Sequence, residues 1–335
     1  MKIELPGIIY EVTTKCNLNC KYCYNYWKRD VESNIEDAEN CDPVKTLKQL
    51  FKMTKIPKVT FSGGEPTLEN KLIDLIILSK LKNKQVTIIT NGNLITEDLI
   101  QQYVKLNVNL FEITINSYNP NVHDKISGVP GSWNKTTSTI KKLLEHNANV
   151  VGVIVLTKYN FEGIEQTLEY IYHLGIKNIM INRYNIGGFG VNEPDKIVLG
   201  KKALKEVFTK ANLFAQKNNI KLHSLVCTPV CILDPAVYPS IRFSNCSPNM
   251  LKRYYTLNRN GDLRYCNHSP TVIGNIYKQH IKDVLASNYL KDWQIITPQY
   301  CKECKRYEEC FAGCRAASEQ LGMGLEHADP ILKFD

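Results

Sequence analysis

Six short β-rich runs, most of them followed by a longer amphipathic stretch, set the first constraint on this chain of 335 residues. The runs are IIYEVT (8–13), KVTFS (58–62), VTIIT (86–90), LFEITIN (110–116), VVGVIVL (150–156) and NIMINR (178–183). Among the intervening stretches, PVKTLKQLFKM follows Asp42, an N-cap residue, with Pro43 at the first helical position. WNKTTSTIKKLLEHN and FEGIEQTLEYIYHL carry apolar residues three and four apart, the period of a helix with one buried face. Strands that alternate with helices pair in parallel, because a crossover is the only way to reach a parallel partner. A series of six predicts a parallel sheet, closed or partly closed as a barrel. In such a fold the chemistry lies on loops at the carboxyl ends of the strands.

After KKALKEVFTKANLFAQKNN the β/α rhythm stops. From about residue 223 the chain is rich in Cys, Pro, Asn and Tyr, with short elements. Two domains are therefore expected, 1–222 and 223–335. Eight of the twelve cysteines lie in the second: Cys227, Cys231, Cys246, Cys266, Cys301, Cys304, Cys310 and Cys314. A region with so little apolar periodicity needs ligation to hold its fold. The N-terminus lacks the basic and apolar blocks of a signal peptide, and no run is long enough to span a membrane. These features point to the cytoplasm, where thiols stay reduced, so twelve cysteines argue for metal or redox chemistry. The net charge of +9 is spread along the chain. Its clusters, Lys201, Lys202, Lys205 and Lys302, Lys305, Arg306, read as solvated faces, so no nucleic acid and no membrane is expected as partner.

The loop after the first run reads CNLNCKYC, with Cys16, Cys20 and Cys23. Three thiols are one too few for a closed tetrahedral zinc site and an odd number for disulfides. A zinc site borrowing a remote ligand and chance clustering are the plain alternatives. The spacing C-x-x-x-C-x-aromatic-C, with Tyr22 as the aromatic, resembles that of the radical S-adenosylmethionine (SAM) enzymes. The resemblance implies a 4Fe-4S cluster held by three thiolates. SAM fills the open iron position, and reductive cleavage gives a 5′-deoxyadenosyl radical. It also implies a partial (β/α)6 barrel.

Further segments extend the likeness. KVTFS runs into Gly63, Gly64, Glu65 and Pro66, which resemble the segment that receives the SAM amino group. There two glycines allow carbonyls to approach the ligand and Glu65 supports the loop. Thr90–Gly92, with Asn91, ends the third run. ITINSY ends the fourth, where relatives have a Ser-Leu-Asp-Gly type sequence. Here Thr114, Asn116 and Ser117 offer hydroxyl and amide groups for the SAM ribose or carboxylate. HDKISGVPGSW (123–133) is similar to the loop that follows, and Arg183 is expected either to pair with a carboxylate or to be a surface residue.

The C-terminal part resembles the SPASM extension, a small Cys-rich α+β domain that holds one or two auxiliary 4Fe-4S clusters. The likeness rests on Cys301-x2-Cys304-x5-Cys310-x3-Cys314, Cys246 and Gly261-x4-Cys266. GNI (274–276), GCRAAS (313–318) and ADP (328–330) add to it. The usual last cysteine is absent, with Leu332 near its place. The distal cluster of Cys301, Cys304 and Cys310 is therefore expected to be open, to use His327 or Asp329, or not to assemble. The proximal cluster is expected to use Cys246, Cys266 and Cys314, with Cys227 or Cys231 as fourth ligand. Cys41 fits no motif. His268 is expected near the active site or a cluster, His123 and His146 to be structural or exposed. No catalytic residue is assigned.

The resemblance implies a maturase of ribosomally made peptides that forms a carbon–carbon or thioether crosslink, served by a flavodoxin- or ferredoxin-type reductant. Formylglycine formation on sulfatases ranks lower, because Asn267 stands where those enzymes carry an Asp base. Peptide epimerisation, radical oxidation in a small-molecule cofactor pathway and a non-catalytic electron carrier are further options. Only fifteen residues precede Cys16, too few for a leader-binding module. A separate recognition protein, or direct leader binding by the barrel and extension, is expected.

Overall fold

The computed structural model describes residues 2–28 and 41–335. All six expected strands are present: β1 (Ile8–Thr13), β2 (Lys58–Gly63), β3 (Gln85–Thr90), β4 (Leu110–Thr114), β5 (Val150–Leu156) and β6 (Asn178–Arg183). Each pairs in parallel with the next. The helices between them are α1 (Pro43–Met53), α2 (Leu72–Leu81), α3 (Glu97–Lys105), α4 (Pro120–Ser127), α5 (Ser132–Glu145) and α6 (Ile164–His173). Helix α1 starts as its sequence dictates, with the Asp42 carboxylate accepting the Val44 N–H at 2.9 Å. One face of the sheet is fully enclosed: Ile8, Tyr10, Val59, Phe61, Ile88, Phe111 and Ile154, which share that face by register, are buried.

Segment 123–133 is only partly a loop. Its first half completes α4, which ends on Gly128 in the left-handed region (φ +73°).

Helix α7 (Lys201–Lys217) leads into two short strands, β7 (Leu222–Ser224) and β8 (Ile241–Phe243), which extend the parallel series past β6. They have no apolar run of their own and depend on the edge they join. At the other edge the C-terminal region adds β9 (Tyr255–Asn258), parallel to β1, then β10 (Asp262–Arg264) and β11 (Val272–Asn275) as antiparallel neighbours. One sheet of eleven strands results, in the order β8-β7-β6-β5-β4-β3-β2-β1-β9-β10-β11. The extension thus covers the free edge of β1, whose unpaired N–H and C=O groups would otherwise be open to other chains. Beyond β11 lie α8 (Ile281–Leu285), α9 (Asn288–Ile295), α10 (Tyr307–Cys310) and α11 (Arg315–Gln320). Among the described residues no helix is long and apolar enough to cross a membrane.

Candidate active site and thiol clusters

The loop bearing Cys16, Cys20 and Cys23 leaves the carboxyl end of β1, just past a register shift between Glu11 and Thr13. It is clamped on two sides by backbone. On one side Gly64 N–H donates to Thr13 O and Glu65 N–H to Lys15 O, both at 2.8 Å. The two chains approach so closely that a Cβ on Gly63 would lie 2.2 Å from Thr13 O, and one on Gly64 2.0 Å from Lys15 O. The glycines of GGEP therefore serve the cysteine loop itself, a use the sequence reading did not foresee. On the other side Asn19 N–H and Lys21 N–H donate to Ser127 O and Ile126 O, each at 2.9 Å. Gly128 lets α4 end against them, since a Cβ there would stand 2.5 Å from Asn19 O. Asn25 closes the frame by donating to Gly63 O at 3.1 Å.

Burial pushes up the pKa of all three thiols, Cys20 to about 12 and Cys23 to about 11. A buried thiolate needs a cation, which the irons of a cluster would supply. Among the described residues no three His, Cys, Asp or Glu side chains converge on one point as a single ion requires. A cubane places its ligands on separate irons, and three thiols on one clamped loop suit it.

Glu65 is enclosed and aimed at its neighbours. Its carboxylate accepts from Thr67 Oγ1 at 2.7 Å, Thr90 Oγ1 at 2.6 Å and Asn91 N–H at 2.8 Å, tying the ends of β2 and β3 together. Pro66 opens the short 3-10 turn that follows. Asn91 Nδ2 donates to Asn17 Oδ1 at 2.8 Å, inside the cysteine loop. Asn116 donates to Tyr22 Oη at 3.1 Å and accepts from Val155 N–H, so its amide orients the aromatic of the motif. Ser117 Oγ accepts from Asn119 N–H, and Thr114 is half-buried at the end of β4.

Arg183 does pair with a carboxylate, but with one of this chain's own. It is neither on the surface nor open to a ligand carboxylate. It is buried and pairs with Asp329, while its other N–H groups meet Thr228, Tyr184 O, Asn185 and Cys227 O. It fastens β6 to the extension. Asp329 is in turn consumed: it also accepts from Cys314 N–H at 2.8 Å and Ile331 N–H at 3.0 Å.

The eight C-terminal thiols fall into two groups of four. In the first, Cys227 and Cys246 are neighbours, and Cys227, Cys246, Cys266 and Cys314 bear electrostatically on one another. Three of them receive N–H donors: Arg253 to Cys246 at 3.4 Å, Ser269 N–H to Cys266 at 3.3 Å and Asn185 Nδ2 to Cys314 at 3.0 Å. Arg253 also lies over the Tyr265 ring at 3.8 Å, and after the neighbouring Cys227 thiol it is the group that most lowers the pKa of Cys246. In the second group Cys231 stands with Cys301, Cys304 and Cys310. Cys227 and Cys231, interchangeable candidates by sequence, thus face different groups. Cys41 is a half-buried free thiol apart from both.

The extension packs against the loops at the carboxyl edge of the sheet. Asn267 donates to Tyr24 Oη at 2.6 Å. His268 Nε2 contacts Ile186 O at 2.7 Å, and burial lowers its pKa to about 4. Gln320 donates to Tyr24 O and His268 O and accepts from Gly188 N–H. Buried Arg264 pairs with Glu11 of β1. Arg253, Arg264, Asn185 and Gln320 escaped sequence reasoning, because each acts across more than one element and belongs to no local pattern. His123, also buried, accepts the Asn116 N–H at 3.2 Å. His146 is half-exposed and pairs with Glu97. Beside the cysteine loop a groove of about 230 Å³ is bordered by Asn19, Lys21, Tyr159, Phe189, Glu193 and Lys196.

Residues 10–171 match the radical SAM superfamily, and residues 246–311 match SPASM, an iron-sulfur cluster-binding domain. A PqqA peptide cyclase of Granulibacter bethesdensis is 23% identical over 98% of this chain and 87% of its own length. The Streptococcus suis protein SuiB, solved with its precursor peptide SuiA, superposes with a TM-score of 0.74 at 17% identity, over 98% of this chain and 75% of SuiB. The protein anSMEcpe with bound AdoMet also gives 0.74, at 16% identity, over 98% of this chain and 94% of that one.

Proposed function

We propose, from the premise that this chain carries a radical SAM domain with a SPASM domain behind it, that it is a maturase which crosslinks a residue of a ribosomally made peptide. One observation carries the reading. A three-thiol loop is clamped between GGEP and α4 at the carboxyl edge of the sheet, with two further thiol groups in the domain that packs against the loops at that edge. Bound there, a cluster with SAM would supply radical hydrogen-atom abstraction, and clusters on the two auxiliary thiol groups would supply one-electron redox capacity.

The chain's own residues hold and orient. Cys16, Cys20 and Cys23 hold the SAM-binding cluster, and Cys227, Cys246, Cys266 and Cys314 the proximal one. Gly63, Gly64 and Pro66 shape the ledge for SAM, and Glu65 holds that ledge to Asn91. Thr114 and Ser117 stand at the end of β4 for its ribose or carboxylate. Tyr22, held by Asn116, keeps the third cysteine in place. Arg253, Ser269 and Asn185 donate hydrogen bonds to the proximal thiols, which is one of the levers on cluster potential. Gln320 joins Tyr24 of the cysteine loop to His268 of the extension. The groove beside Asn19 and Lys21 offers aromatic and charged side chains to a peptide segment.

The relatives' names, PqqA peptide cyclase among them, support a peptide as substrate. A flavodoxin- or ferredoxin-type reductant completes the system, with leader recognition either by a separate protein or by the barrel and extension directly. Formylglycine formation is disfavoured because Asn267 is an amide, and it is engaged with Tyr24. Anaerobic incubation with dithionite and SAM should release 5′-deoxyadenosine, and a co-expressed precursor peptide should lose two hydrogens in mass. An unchanged peptide mass with deuterium gained from solvent would replace crosslinking by epimerisation.

A further inference from the structure

We infer that Cys231 is the fourth ligand of the distal auxiliary cluster, in the part of the pattern's last cysteine, near whose place Leu332 stands. The inference rests on the reading of the extension as a cluster-binding domain and deepens it.

Three thiols of that cluster, Cys301, Cys304 and Cys310, come from one short stretch of the extension, whereas Cys231 comes from the loop between β7 and β8. The two stretches are bolted together. Arg306 takes the Asp234 carboxylate with both terminal nitrogens, at 2.7 and 3.0 Å. Asn245 Nδ2 donates to Glu309 O at 3.2 Å. Pro229 packs against Gly313 so closely that a Cβ there would lie 2.7 Å from the proline ring. Thus the chain two residues before Cys231 and three residues after it is pinned to the segment that carries the other thiols. The thiol of Cys231 lies within electrostatic reach of Cys301, Cys304 and Cys310.

The competing ligands are spent or misplaced. Asp329 holds Arg183, Cys314 N–H and Ile331 N–H. Leu332 packs against the hydrophobic core. Cys227 faces Cys246 and Cys314. His327 is half-exposed beside Glu326. Cys231 and Cys304 are the exposed pair of the set and Cys301 and Cys310 the buried pair, which places this cluster at the surface. There an external electron carrier can approach it.

The test uses the full chain, reconstituted anaerobically with iron and sulfide. Cys231→Ala, Cys304→Ala, Cys227→Ala and His327→Ala are compared by iron per chain and by electron paramagnetic resonance of the reduced protein. Cys231→Ala should remove or alter the same signal as Cys304→Ala, leave the signal lost in Cys227→Ala, and add no further iron loss in the Cys231→Ala/Cys304→Ala double variant. Cys231→Ser, which keeps the side-chain volume, controls for folding. A second measurement needs no variant: alkylation by N-ethylmaleimide, read by mass spectrometry. Exposed Cys231 should be protected in the iron-loaded protein and modified once iron is chelated. Ready modification with iron bound, or a Cys231→Ala spectrum like wild type while Cys304→Ala is altered, overturns the inference alone. An effect of His327→Ala in its place hands the site to that residue. Silence of both Cys231→Ala and Cys304→Ala overturns the distal cluster as well.

Discussion

Substituting Gly64 by Ala tests how the cysteine loop is held. The new Cβ would stand 2.0 Å from Lys15 O, 2.6 Å from Lys15 C and 2.7 Å from Thr14 O, all of them backbone atoms that cannot rotate aside. Relief to a tolerable contact near 3 Å requires a retreat of about 1 Å by the chain entering Cys16. That retreat breaks the hydrogen bonds Gly64 N–H to Thr13 O and Glu65 N–H to Lys15 O, both 2.8 Å. At roughly 0.5–1.5 kcal/mol each, their loss costs about 1–3 kcal/mol of stability. The effect on chemistry is larger, since a misplacement of about 1 Å lowers a rate on the order of a hundredfold. Gly131→Ala is the control: its φ of +77° is left-handed, which that of Gly64 is not, and nothing lies within 4 Å of the new Cβ. It should cost about 1–2 kcal/mol through backbone strain alone. Both variants are assayed for urea midpoint, iron per chain and 5′-deoxyadenosine release. Gly64→Ala should lose release by about a hundredfold with little more destabilisation than Gly131→Ala, which should keep it. Equal release from the two variants would refute the clamp.

Breaking the Arg183–Asp329 pair with Arg183→Met strands a buried carboxylate and should cost about 3–5 kcal/mol in urea unfolding. Arg183→Met/Asp329→Asn should recover part of it. Burial lowers the pKa of His123 from 6.5 to about 4, so the unfolded chain takes up the proton first and stability falls as pH drops through that interval. From pH 7.5 to 5 the loss is about 2 kcal/mol. His123→Gln, which can still accept the Asn116 N–H and never charges, should lose much of this acid sensitivity when the urea midpoints are compared. Removal of iron by a chelator should raise hydrogen exchange in 226–253 and 299–332 more than in β2–β5, because thiol ligation holds the first two and apolar burial the strands. Uniform exchange would contradict that division.

The barrel was readable because its signals are local. Runs such as VVGVIVL and KVTFS form strands in any context that buries both faces, and Asp42-Pro43 opens a helix by itself. The cysteine triad and GGEP were readable for the same reason. What escaped depends on contacts between distant parts of the chain. Strand β7 is three residues long and pairs only because β6 offers an edge. The chain at β9 joined the barrel sheet beside β1, a partner some 250 residues away that no local pattern announces. Arg183 showed a cation near the ends of the strands, but the identity of its partner was settled by Asp329 at the far end of the chain. The division of Cys227 from Cys231 follows from the loop geometry imposed by Arg306 and Asp234, which no spacing rule contains.

The claim at the centre of the account is that Cys16, Cys20 and Cys23 leave one iron of the first cluster free for SAM. Electron paramagnetic resonance of the dithionite-reduced protein, with the auxiliary thiols replaced and with and without SAM, addresses it directly. SAM should shift the signal, and a ¹⁵N label on its amino group should add a hyperfine coupling. A reduced signal indifferent to SAM would contradict it.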